Sequence, residues 1–222
     1  MPCCQSNEGP SSERLADRVG SMRKFLLTLA RMKRIPRSGW ISHGVNVTDL
    51  ESVADHSFST CALSLLLSDL EARRGRRPNV ERVLRLALFH DLSETLTFDI
   101  SKEYLEYLGP KGMRIKAELE EAAWKQVAGG LNNPSLSRTY SKLQREFDNE
   151  RTFESKIVRA ADALDILLEI IEYTRRGYPA SLFEDMWRQT VIRLRSSPVM
   201  SVHKLLKTLI QEHNKVRSRR LK

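Results

Sequence analysis

The stretch ALFHDLSE places His90 beside Asp91 just where an apolar helix should end. A polar doublet there is costly unless something satisfies it. A metal ion is one such partner; a His-Asp hydrogen bond or a cap on the next turn is another. Neighbouring helical positions point about 100° apart, yet two side chains beyond a helix end can still converge on one ion. His56, in SVADHSF, lies 34 residues earlier, and Asp162, in RAADALD, lies 71 residues after Asp91 inside the most apolar segment of the chain. A carboxylate in such a segment needs a partner. Asp165, three residues on, shares that face or turns to solvent. His56, His90, Asp91 and Asp162 together make two imidazoles and two carboxylates. That set suits one borderline divalent ion, Mn, Co, Fe, Ni or Zn.

The elements that must position these residues read as helices throughout. Phe25, Leu26, Leu29 and Met32 share one helical face, and Pro36 pushes the residue before it out of helical backbone. Residues 37–50 read as a loop. A long helix follows from Glu51 to Arg74, with its apolar face at Phe58, Ala62, Leu65, Leu66 and Leu70. Asn79 is the expected N-cap of a helix from Val80 to about Leu92. Residues 93–109 have turn residues and a short helical end. Helices then cover 110–130, closed by Gly129-Gly130, and Asn133 to about Asn149. The segment Phe153–Arg176 is apolar on several sides, which predicts a helix buried nearly all round. Two basic amphipathic helices start near Pro179 and Val199. The expected fold class is all-α: a disordered leader over 1–15 and a single helical domain over 16–222.

Composition limits the function classes. The chain has 222 residues, 41% hydrophobic and 29% charged, with 10 Gly and 8 Pro. Collagen-like and low-complexity chains are excluded. No apolar run approaches the ~18 residues of a membrane span, and the N-terminus shows no secretory h-region. A cytoplasmic protein without membrane contact is the expectation. Three cysteines are too few for a disulfide framework; Cys3-Cys4 could take lipid or belong to a polar leader. The net charge is +9, and residues 178–222 carry 10 bases against 3 acids. That basic end is read as a solvated helix or tail, with nucleic acid as the minor alternative.

The order H…HD…D resembles the HD-domain metal-dependent phosphohydrolases. HDLSETLTFDI is similar to the HD-x-x-E-x-x-x-x-D signature of the YfbR-type 5′-deoxynucleotidases and the HD domain-containing protein 2 group. RMKRIPRSGW followed by ESVADHSF, and VRAADALD, resemble other segments of that group, so the likeness runs from about residue 24 to 175. It implies an HD-type bundle with extra C-terminal helices and a homodimer that hydrolyses (deoxy)nucleoside 5′-monophosphates. It also implies roles: His56, His90, Asp91 and Asp162 hold the metal, Glu94 and Asp99 orient and activate water, Arg37 holds phosphate and Trp40 packs on the nucleoside. The residues agree with this chemistry. Glu94 is one helical turn from His90 if the helix persists, and Arg37 has the fork that matches phosphate. For Trp40 an anchoring place in the core is the alternative. The chain departs from the group at Asp55, where Glu is usual, and at Phe98 and Ser101, where Gly and Pro are usual. Between Asp91 and Asp162 there is no histidine, so one metal is expected, with His43 able to approach from the loop. Another phosphoester, a cyclic phosphodiester or a nucleoside triphosphate, is the second enzymatic reading. A nucleic-acid-binding or regulatory protein is the third. Leu182, Phe183 and Trp187 either supply the dimer interface or cover the core.

Overall fold

A computed structural model describes residues 12–220. The first eleven residues of the expected leader, Cys3-Cys4 among them, and the last two of the basic tail lie outside the described residues. Helix α1 covers Ser12–Met32 and α2 the short segment Ser38–Ser42. The site is then framed by α3 (Val53–Arg73), α4 (Val80–Phe89), α5 (Glu94–Thr97) and α6 (Lys102–Glu106). The long helices α7 (Pro110–Gly129), α8 (Pro134–Asn149) and α9 (Phe153–Arg176) follow, and α10 (Glu184–Arg195) and α11 (Met200–Arg220) close the chain. Regular structure among the described residues is helical apart from one isolated bridge, Pro36 to Ser52. The helix α2 replaces part of the loop expected over 37–50.

The helix starts follow from local hydrogen bonding. Asn79 accepts from the Arg82 amide, Asn133 from those of Ser135 and Leu136, and Thr152 from that of Ser155. Each satisfies a donor the helix leaves open. Ser52 and Asp55 form a reciprocal capping box at the start of α3. Asp55, one of the positions where the chain departs from the group it resembles, therefore holds the helix that carries His56.

Helix α9 is the central element, packed against α3, α4, α8, α10 and α11. Ile157, Val158, Ala161, Leu164, Leu167 and Ile171 are buried along it, as the wide apolar pattern predicts. Leu67, Val83, Leu86, Phe147, Leu194 and Leu206 complete this core from the surrounding helices. A second cluster joins Phe25, Met32, Ile35 and Val53 to Leu92 and Trp124. Glu71 is buried and accepts from the Ser201 amide at 2.7 Å, fixing the start of α11 against the end of α3.

The orientation of α3 reverses the sequence expectation. Phe58 is 76% exposed, and Leu65 and Leu66 are exposed too. The buried face carries His56, Ser57, Thr60, Ser64, Leu67, Ser68 and Glu71. The reason is the partner. Helix α9 already supplies large apolar side chains, so α3 meets it with small residues that allow close approach. The hydroxyls of Ser57 and Ser68 bond back to the carbonyls four residues earlier. Turning that face inward is also what carries His56 to Asp162 and Asp165. Phe183 is fully buried and Trp187 packs on the core. Both cover the core as the alternative reading had it; Leu182 is exposed.

Candidate active site

The site lies where α3, the end of α4 and α9 meet. His90 caps α4 with helical backbone, and the chain then tightens into a turn in which the Glu94 amide donates to the Asp91 carbonyl at 3.1 Å. The helix does not run on to Glu94, yet this turn still brings Glu94 back beside Asp91. His90 Nδ1 donates to the Ala87 carbonyl at 2.7 Å, since a carbonyl can only accept. His56 Nδ1 faces the Asp165 carboxylate at 2.7 Å. Both rings are thus anchored through Nδ1 and turn their Nε2 atoms toward each other, 3.3 Å apart.

Carboxylates close the same space. Asp162 Oδ1 and Asp91 Oδ2 each stand 3.5 Å from His56 Nε2, and Asp91 Oδ2 is 3.2 Å from His90 Nε2. Donor atoms of His56, His90 and Asp162 all lie within 4.8 Å of one another. Two imidazole Nε2 atoms and two carboxylates converging in a buried pocket need a positive charge among them, a proton or a metal ion. Two donors ~2.1 Å from one ion, at bond angles near 90–109°, stand ~3.0–3.4 Å apart. The observed 3.3 Å spacing fits that ion, and the nitrogen and carboxylate donors suit a borderline divalent metal. The four residues expected as ligands are brought together.

Electrostatics point the same way. Burial and Arg37 push the His56 imidazole down. The acceptors Asp162 and Asp165, with Asp91, outweigh them and raise it to about 10. The pocket therefore demands positive charge at Nε2. Burial opposes ionisation of Asp162 and Asp91, but His56, His90 and nearby guanidinium groups hold both well below the usual carboxylate range. Glu94 goes the other way. Burial, then Asp91 and Asp99, push its carboxyl well above the ordinary value, and its Oε2 is buried with no hydrogen-bond partner.

Arg37 spans this acidic wall. Its Nη1 donates to Asp91 Oδ2 at 2.9 Å and stands 3.6 Å from Glu94, while Nε is 3.7 Å from Asp99. The arginine is held in place because its own amide donates to the Glu51 carbonyl at 2.9 Å and the next amide, Ser38, donates to Asp99 Oδ2 at 2.8 Å. Asp99 therefore ties the α2 loop to the site.

Trp40 is placed differently from the role the resemblance implies. Its indole is 3% exposed and packs edge-on against Tyr173 and Phe183, with Nε1 donating to Glu51 Oε2 at 2.9 Å. That is the core-anchor alternative. The ring has no open face for a nucleoside, because α2 turns it inward onto α9. His43 hydrogen-bonds the Gly39 carbonyl and stacks on Phe183; it is not among the grouped metal donors.

Three residues at the site were not singled out as site residues by sequence reasoning. Asp165 orients His56; its spacing from Asp162 was the only signal, and it left two faces open. Glu51 links Trp40 to the His56 ring, with Oε1 4.0 Å from Nδ1. Arg193 on α10 brings Nη2 to 3.5 Å from Asp162 Oδ2 while its side chain stays 43% exposed. Nothing local in VIRLRSS marks it, because it reaches the site only through the packing of α10 on α9.

Known proteins resemble this chain in sequence and in fold. The HD-domain family profile matches residues 29–204 and so extends through α10 to the start of α11. The 5′-deoxynucleotidase HDDC2 of Danio rerio is 30% identical over 170 residues, covering 75% of this chain and 76% of that one. Its Homo sapiens counterpart is 29% identical over 170 residues, covering 77% and 76%. Among solved structures, a protein from Pyrococcus horikoshii superposes with a TM-score of 0.71 at 28% identity, covering 85% of this chain and 98% of that one. An HD-domain phosphohydrolase from Listeria innocua shares the fold, with a TM-score of 0.72 at 21% identity over 89% and 92% of the two chains. With its paired imidazoles, its convergent carboxylates and a profile match over most of its length, the chain belongs to the HD-domain family.

Proposed function

We propose that the protein is a metal-dependent phosphohydrolase that cleaves deoxynucleoside 5′-monophosphates to nucleoside and phosphate. The observation that carries this is the pair of imidazole Nε2 atoms 3.3 Å apart, walled by Asp91 and Asp162 and flanked by a buried Glu94. The substrate class is supported by the relatives named as 5′-deoxynucleotidases. On this reading one helical domain over 16–222 does the work, in the cytoplasm, where such nucleotides are made and used.

His56, His90, Asp91 and Asp162 hold one divalent ion. When bound, such an ion supplies Lewis-acid stabilisation of phosphoryl charge and a more acidic water. The side chains do the rest. Glu94, held beside Asp91 with its buried Oε2 free of any hydrogen bond, takes the proton of the attacking water. Asp99 holds Arg37 and the α2 loop in register. Arg37 exchanges its Asp91 contact for phosphoryl oxygens, to which its fork is matched. Arg193 meets the same phosphate from the α10 side. Preorganised donors around developing phosphoryl charge are the main catalytic resource of such sites. As the water oxygen bonds to phosphorus the P–O5′ bond breaks, and the 5′-oxygen leaves with the proton that Glu94 took up, releasing nucleoside and phosphate.

The homodimer implied by the resemblance has a candidate face in α3. Phe58, Ala62, Leu65 and Leu66 recur at helical spacing and are exposed, a contiguous stripe of the sort that marks an interface.

The test is phosphate release from a panel of deoxynucleoside and ribonucleoside monophosphates, a cyclic phosphodiester and a nucleoside triphosphate, with Mn, Co, Fe, Ni and Zn in turn. Turnover confined to the 5′-monophosphates supports the reading. Salt-dependent retention on DNA with no turnover of any nucleotide overturns it in favour of binding through the basic C-terminal helix.

A further inference from the structure

Phe98 combines two unfavourable features. Its backbone sits at φ 55°, ψ 148°, a region that glycine enters freely and side-chain-bearing residues avoid. Its ring is 63% exposed. Neither feature is needed to build the loop. The sharp turn between α5 and α6 serves the next residue, Asp99, which accepts from the Ser38 amide at 2.8 Å and faces Arg37 at 3.7 Å. A glycine would make the same turn without strain. A phenylalanine kept there, strained and wet, is explained by what its ring meets when substrate is present.

Phe98 directly precedes Asp99 in the chain, so the loop that brings Asp99 to Arg37 is the one that carries the exposed ring. The indole of Trp40 is sealed in the core. We propose that Phe98 is a specificity-determining residue: its ring stacks on the base of the nucleoside monophosphate whose phosphate lies at Arg37. This rests on the phosphomonoesterase reading above and adds the surface that recognises the base. Stacking of this type is tolerant of base identity, because every base has a π-face.

Kinetics on two substrates test it: a deoxynucleoside 5′-monophosphate, and deoxyribose 5-phosphate, which lacks only the base. Phe98→Gly should raise KM for the nucleotide roughly 5- to 150-fold, the range that base–aromatic stacking commands. It should leave the base-free substrate unchanged and raise the melting temperature, because the strain is relieved. Phe98→Leu removes the aromatic face but keeps the strain. It should weaken the nucleotide without gaining stability, and it carries the test if the glycine variant folds poorly. A wild-type nucleotide KM in both variants, or equal losses on both substrates, overturns the proposal. A changed oligomeric state with unchanged KM does so too, assigning the ring to a subunit contact. If the wild type hydrolyses neither substrate, the phosphomonoesterase reading is what fails. Calorimetric binding of the deoxynucleoside monophosphate then decides on Phe98 alone: weaker binding by Phe98→Gly supports it, and equal binding overturns it.

Discussion

Replacing Asp165 tests whether His56 is a ligand held by its neighbour. The carboxylate is buried, and its Oδ2 lies 2.7 Å from His56 Nδ1. That is a short, charge-assisted hydrogen bond. It fixes the proton on Nδ1 and so keeps Nε2 free for a metal. In Asp165→Ala the nearest remaining acceptor is Glu51 Oε1 at 4.0 Å, too far to hydrogen-bond without movement. The ring can then carry its proton on Nε2, the ligand atom. Loss of such an outer partner typically costs 10- to 100-fold in metal affinity, or ~1.4–2.8 kcal/mol. Asp165→Asn keeps an acceptor oxygen in place but removes the charge, so its loss should fall at the low end of that range. Competition with a chelating dye for Co or Mn near neutral pH measures both variants against the wild type. Wild-type affinity in Asp165→Ala, in a protein that melts normally, would refute the claim that this hydrogen bond presents Nε2 to the ion.

Three further expectations concern the other groups. Glu94→Gln should abolish phosphate release, a loss of at least the ~10²–10⁴-fold that a positioned acid-base group contributes, while metal analysis shows the ion retained. Arg193→Ala should raise KM for nucleoside monophosphates and for a base-free ester alike, with little change in melting temperature, because the side chain is 43% exposed and stands 3.5 Å from Asp162, too far for a hydrogen bond of normal length; steady-state kinetics on the two substrates checks it. His213 stacks on Trp187 at 3.8 Å, and burial together with Arg217 pushes its imidazole down to about 4 from an ordinary 6.5. The unfolded chain therefore binds more protons than the native protein in that window, so stability is lost as pH falls from about 6.5 toward 4. His213→Phe should flatten that slope in denaturant titrations.

Much of the fold was legible because its signals are local. Pro36, Asn79 and Asn133 punctuate the helices by backbone chemistry, and α9 declared itself by an apolar stripe too wide for a surface helix. The inward face of α3 was not legible. Its large residues point to solvent, and its small and polar residues point inward because α9 fills the shared space and His56 has to reach it. Among the site residues, the His-Asp doublet and the buried Asp162 were conspicuous as polar groups in apolar surroundings. Glu94 was visible by spacing, although a turn, not a continuous helix, delivers it. Asp165, Glu51 and Arg193 come together only through packing between elements distant in sequence. Trp40 illustrates the limit of residue type: an indole in a short loop suits stacking on a substrate or on a core, and only the direction of α2 separates the two.

The account stands most directly on a titration of metal into chelator-stripped protein while phosphate release from a deoxynucleoside 5′-monophosphate is followed. The prediction is that activity appears with the metal and saturates at one ion per chain, and that His90→Ala and Asp162→Ala fail both to bind and to turn over. Phosphate release that is undiminished after the metal has been removed, or full metal binding in both variants, would contradict it.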